Sequence, residues 1–169
     1  MKRLKLAVFD LDDTLFDTSG QLDESYERIE DITLFPLVTE LLQKIRSQGV
    51  NLAIVSTGNH LIQDKKVEVL RLRQFVDVVY ICALPEEKLT LFRRCLNEFA
   101  AEPCETLIVG DRIDREILFG RMLGCVTVRV LQGKHSHMIP RTQDEVADYT
   151  IKGIAALTEV LSGLCPRGS

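Results

Sequence analysis

The sequence predicts an α/β fold, a three-layer, doubly wound parallel sheet with helices on both faces. Short apolar runs at residues 4–9, 51–55, 76–81, 106–109 and 125–130 read as buried strands. Helix-length segments at 35–49, 60–75, 86–101 and 114–124 alternate with them. Such alternation requires crossover connections, so the strands run parallel and helices cover both faces. The loops at the carboxyl ends of the strands are then where a site forms.

In the first predicted helix, Leu37, Leu41, Leu42 and Ile45 recur at helical spacing, and Gly49 supplies the residue at which a helix turns off. The stretch 132–144 is polar and turn-rich; residues 147–151 and 154–161 then suggest an edge strand and a closing helix. There is no internal repeat or linker. The reading is a single domain over residues 1–163, with a short insertion at 17–34 that holds one helix near 24–30. A tail at 164–169 partly resembles a protease-cleavage remnant.

With 169 residues, 46% of them hydrophobic and 27% charged, the chain has enough apolar material for a packed core and too much for disorder. The net charge is -4 and the Lys and Arg residues are scattered, so there is no nucleic-acid signal. No stretch approaches the ~18 apolar residues of a membrane span. Five cysteines, an odd number without a CxxC pair, argue against a disulfide framework and for a cytoplasmic protein.

Asp10 directly follows an apolar strand, and Asp12 lies two residues on. A carboxylate at a strand's carboxyl end can attack phosphorus and hold the phosphoryl group. Asp12 can reach the same pocket as a general acid and base, with Thr14 steadying the turn. Helix capping by these acids is the competing explanation. A second group, Asp111, Asp114 and Glu116, follows the run 107–110. Two acid-tipped neighbouring strands suit Mg2+, which takes a few carboxylates plus waters and phosphate oxygens; Asp114 and Glu116 also suit a helix start. Ser56, Thr57 and Gly58 end another strand with hydroxyl and backbone donors suited to phosphate, although such a turn also caps helices. Lys88 enters a helix after the strand near Ile81, where its charge can bind phosphate or simply face solvent.

In this order the segments resemble the haloacid dehalogenase-like (HAD) superfamily over residues 4–161. Val8-Phe9-Asp10-Leu11-Asp12-Asp13-Thr14-Leu15 is similar to its first motif, Ile54-Val55-Ser56-Thr57-Gly58 to its second, and Lys88 falls where the third is expected. Val109-Gly110-Asp111-Arg112-Ile113-Asp114-Arg115-Glu116-Ile117 resembles the fourth. The resemblance implies a Rossmann-like fold and Mg2+ as cofactor. It makes Asp10 the nucleophile, Asp12 the acid/base and Ser56, Thr57, Gly58 and Lys88 the phosphate binders. Asp10, Asp12 and Asp111 would serve the metal, with Asp114 or Glu116 beside them. Relatives commonly carry Asp where this chain has Glu116.

The implied activity is phosphomonoester hydrolysis on a small molecule or an exposed phosphate of a larger one, with phosphotransfer or a phosphate-binding regulatory module as alternatives. Family dehalogenases generally lack the second acid, so Asp12 favours phosphate chemistry. The space between the first two motifs is too short for a helical cap. Such a site either admits a large substrate or relies on a neighbouring subunit, as in a homo-oligomer, to exclude water. His60, His135 and His137 receive no role.

Overall fold

The computed structural model describes residues 3–164, so residues 165–169 of the expected tail lie outside the described residues. Along the chain come β1 (Leu6–Phe9), α1 (Thr18–Gln21), α2 (Val38–Ser47), β2 (Asn51–Thr57), α3 (His60–Val69) and β3 (Val78–Cys82). They are followed by α4 (Glu87–Glu98), β4 (Thr106–Gly110), α5 (Leu118–Leu123), β5 (Val126–Val130), β6 (Tyr149–Ile151) and α6 (Leu157–Leu164). The strands form one sheet in the order β3-β2-β1-β4-β5-β6, and every pairing is parallel.

The chain winds outward from β1 through β2 to β3, then returns to the other side of β1 with β4 and winds outward again. The winding reverses between β1 and β4, and in open parallel sheets the crevice outside this point is where ligands bind. The alternation of strand side chains divides the core. Leu6 and Val8 face a cluster with Phe92 and Cys95 of α4, whereas Ala7 and Phe9 face one with Leu41, Leu42 and Ile45 of α2 and Leu157 and Leu161 of α6. Most positions of β1, β2 and β4 are buried, as expected for strands covered on both sides.

The helix expected near 24–30 does not form. The Asp23 carboxylate accepts from the Ser25 amide and hydroxyl at 2.9 and 2.6 Å, and Tyr26 takes a left-handed φ of 56°. This local turn competes with helix initiation. The segment instead holds α1, capped by Asp17 accepting from the Gly20 amide, and a 3₁₀ turn at Ile29–Asp31. The segment expected as one helix over 60–75 breaks at Arg71, whose φ is 52°, and ends in a 3₁₀ turn at Leu72–Gln74. The helix expected over 114–124 opens as a π-helical turn at Ile113–Ile117 before α5.

Phe92 is 2% exposed and anchors α4 to the sheet. Phe92→Ala is expected to cost about 3–5 kcal/mol of unfolding free energy, read as a lower urea midpoint at unchanged slope.

Candidate active site

The register pairs Phe9 with Val109 and with Ile54, so the ends of β1 and β4 emerge side by side while β2 runs on three residues further to Thr57. The Asp10 amide extends the ladder by donating to the Val109 carbonyl at 2.9 Å. Asp10 and Asp111 thereby stand next to each other across the switch point. Lys88, in the first turn of α4, reaches in and donates to Asp10 Oδ1 at 2.6 Å and to Glu116 Oε1. Asp10, Lys88, Asp111 and Glu116 are 7%, 3%, 1% and 1% exposed, so four ionisable groups share one buried pocket.

The π-helical turn brings Glu116 into that pocket. Such wide turns insert an extra residue and rotate the next part of the helix, and they recur at functional sites. Glu116 Oε2 accepts from the Arg112 amide at 3.3 Å, and its side chain crosses directly over Gly110. A Cβ on Gly110 would sit 2.3 Å from Glu116 Cγ, so the glycine gives the longer acid its path. Asp114 goes elsewhere: Arg112 clasps it in a bidentate pair at 3.0 and 2.8 Å, and Arg115 approaches it at 3.7 Å. The Arg112 hydrogen bonds hold the Asp114 carboxyl below its ordinary pKa.

One ligand atom each from Asp10, Asp111 and Glu116 lies within 4.8 Å of the others. Burial pushes Asp10 up to about 7 against the pull of Lys88, with Glu116 and Asp12 adding to the rise. Burial, then the charges of Asp10, Glu116 and Asp13, push Asp111 up to about 9, and its buried Oδ2 has no hydrogen-bond partner. Burial opposes the charge on Lys88, but Asp10 and Glu116 more than offset this and raise its pKa. Three carboxylates around one ammonium remain short of positive charge. The orphaned buried oxygen among them, Asp111 Oδ2, fits a hard dication such as Mg2+, which prefers oxygen ligands.

The Asp12 side chain lies apart from this cluster. Its Oδ1 accepts from Lys66 Nζ and Thr18 Oγ1, each at 2.7 Å, and its Oδ2 accepts from Gln63 Nε2 at 2.6 Å. Thr57 and Gly58 line the cavity, whereas Ser56 is fully buried and its hydroxyl accepts from Gln63 at 2.6 Å. Asn59 caps α3 by accepting from the Leu61 and Ile62 amides. The Thr14 hydroxyl is buried and has no hydrogen-bond partner.

Sequence reasoning missed Gln63 and Lys66, which are both 2% exposed and line the cavity from α3. Lys66 also stands 5.7 and 5.5 Å from the ring centres of Phe16 and Tyr26. Their one signal was spacing, since both polar side chains fall on the face of α3 that also buries Val67. Asp13, buried with φ 54°, was missed as well. It accepts from the Ser19 amide and hydroxyl and from the Lys134 amide.

A model of the haloacid dehalogenase-like hydrolase family matches residues 20–130, more than half of the chain. The chain belongs to this family. It is 28% identical over 150 residues to the glyceraldehyde 3-phosphate phosphatase of Methanocaldococcus jannaschii, covering 87% of this chain and 64% of that protein. The chain thus spans less than two thirds of that relative's length. Among solved structures, a protein described as a predicted phosphoglycolate phosphatase of Haemophilus somnus superposes with a TM-score of 0.79 at 18% identity, over 95% of this chain and 99% of the other. YfnB of Bacillus subtilis, described as a HAD-hydrolase and solved bound to magnesium, gives 0.72 at 19% identity, over 95% and 99%. Both share the HAD fold with this chain.

Magnesium at about 100 times its dissociation constant is expected to raise the unfolding free energy by about 2.7 kcal/mol, read from thermal melts with and without the ion. The gain should grow from pH 5 to pH 8, because the raised carboxyls hold protons at low pH that the ion must displace. Asp111→Asn should abolish it.

Proposed function

We propose that this chain hydrolyses a small phosphomonoester with Mg2+ through an aspartyl phosphate on Asp10. The reading rests above all on the buried cluster of Asp10, Asp111 and Glu116 with Lys88 beside it. It is supported by the phosphatase name of the Methanocaldococcus relative and by magnesium in YfnB. Asp10, Asp111 and Glu116 would hold the ion, which supplies charge neutralisation for the phosphoryl oxygens. The cavity they line encloses about 270 Å3, a size suited to a small substrate.

Lys88 occupies Asp10 Oδ1, which leaves Oδ2 free to attack phosphorus. As the bond from Oδ2 to phosphorus forms, the bond to the leaving oxygen breaks, and Asp12, entering the step in its protonated form, gives that oxygen its proton. Asp12 then takes a proton from water as the water attacks the phosphorus. The Asp10–phosphorus bond breaks, inorganic phosphate leaves and both acids return to their starting states. Thr18, Gln63 and Lys66 fix Asp12 in the cavity wall, so its proton transfers start from a defined position. Lys88 neutralises charge where three acids and a phosphate converge.

Phosphate release from a panel of small phosphoesters tests the reading. Turnover is expected to require magnesium, to fall more than about a thousandfold in Asp10→Asn and by about 10²–10⁴ in Asp12→Asn. Mass spectrometry should find phosphorylated protein in Asp12→Asn and none in Asp10→Asn. Undiminished turnover in Asp10→Asn would sink the proposal.

A further inference from the structure

The cavity has a second wall, made by the π-helical turn and by the loop after β5, whose charge the hydrolytic chemistry leaves unused. Arg112, Arg115, Lys134 and His135 all line it. Arg112 is paired with Asp114, and among the described residues Asp114 is also the only carboxylate that pairs with Arg115, at 3.7 Å. The Lys134 side chain is exposed, and no hydrogen bond or ion pair holds its ammonium among the described residues. His135 Nε2 lies 3.4 Å from Arg112 Nη1. Two acids, Asp114 and Asp13, therefore stand against two guanidinium groups and an ammonium. Burial, then Arg112 and Lys134, push the His135 pKa below its ordinary value against the opposing charges of Asp13 and Asp114.

This wall is also held in place from beneath. Arg129, 7% exposed at the end of β5, donates through Nη2 to the carbonyls of His135, Ser136 and Met138 at 3.2, 3.2 and 2.8 Å. Asp13 accepts from the Lys134 amide at 3.4 Å and packs so closely on Gly133 that a Cβ there would meet its Cγ at 2.2 Å. Gly133 also has a φ of 65°, a conformation glycine adopts without strain. A buried arginine that donates to three loop carbonyls fixes the backbone that carries Lys134 and His135. Cations carried on a fixed backbone and facing a small cavity are suited to recognising an anion.

Resting on the hydrolase reading, we infer that Lys134 and Arg115, backed by Arg112 and His135, form a subsite for a second anionic group of the substrate. The substrate class is a short phosphomonoester that carries a carboxylate or a second phosphate at its far end. The loop at 133–138 is then a specificity element, and Lys134 a specificity-determining residue outside the reacting centre.

Two matched pairs test this by kcat/KM with magnesium: 3-phosphoglycerate against glyceraldehyde 3-phosphate, and ribulose 1,5-bisphosphate against ribulose 5-phosphate. The wild-type protein is expected to prefer the doubly anionic member of at least one pair by tenfold or more; which pair responds tells a carboxylate from a phosphate. Lys134→Met should lower kcat/KM for that member about tenfold, mainly through KM, and change its partner less than twofold. Lys134→Arg should restore most of the loss. The ammonium makes no contact that folding needs, so the variant melts should coincide with wild type.

Equal rates within both pairs, or an equal loss for both members in Lys134→Met, overturn the subsite. If no ester is hydrolysed, the hydrolase reading falls separately. Calorimetric binding of the same four esters to wild type and Lys134→Met then decides the subsite, and unchanged affinity overturns it.

Discussion

The crowding of Asp10, Asp111 and Glu116 around the single ammonium of Lys88 is the constraint on which the rest of the site depends. Three buried carboxylates repel one another and have lost their water, a combination tolerated only beside compensating charge. Lys88 supplies part of it, since it reaches both Asp10 and Glu116. Its own burial is possible only because those acids are there. The fold meets this demand locally: adjacent β1 and β4 set Asp10 beside Asp111, the first turn of α4 delivers Lys88, and the π-helical turn delivers Glu116 over Gly110.

A second charged group is kept separate from the first. Asp12 is two residues from Asp10, yet its carboxylate is held by Lys66, Gln63 and Thr18. Two carboxylates in one motif thus have different surroundings. Asp10 sits in a buried cluster of acids, whereas Asp12, with 30% of its side chain exposed, faces a lysine and an amide. Environments that differ in this way suit a nucleophile and a proton carrier to different tasks. The division depends on α3, whose buried face carries Gln63 and Lys66 beside Val67 in place of a continuous apolar stripe.

Much of the sheet was legible because burial on both faces leaves strands as apolar runs. Asp10, Asp111 and Lys88 were legible because each sits immediately beyond such a run or in the helix turn after one. The hidden features depend on three-dimensional closure. Gln63 and Lys66 look like ordinary surface residues of a helix until the helix is laid against Asp12. The expected helix near 24–30 had the composition for one, but the hydrogen bonds of Asp23 to Ser25 and the left-handed Tyr26 favoured a turn. Asp114 and Glu116 were inseparable in sequence; an α-helical start does not tell which of two nearby acids turns inward. The wide turn settles it by bonding Glu116 to the Arg112 amide while the Arg112 guanidinium removes Asp114.

Beyond the segment between Thr14 and α2, loops at the ends of the sheet wall much of the pocket. Loops ordinarily gain adaptability and lose precision, so the recognition role proposed for the loop at 133–138 needs outside support. Asp13 provides it from one side and Arg129 from the other, and both are buried. Asp13 also ties down Ser19, at the start of the short segment that places Tyr26 against Lys66. One aspartate in the first motif therefore couples the segment over one side of the cavity to the loop over the other. Its left-handed backbone, at φ 54°, is the strain accepted for that position.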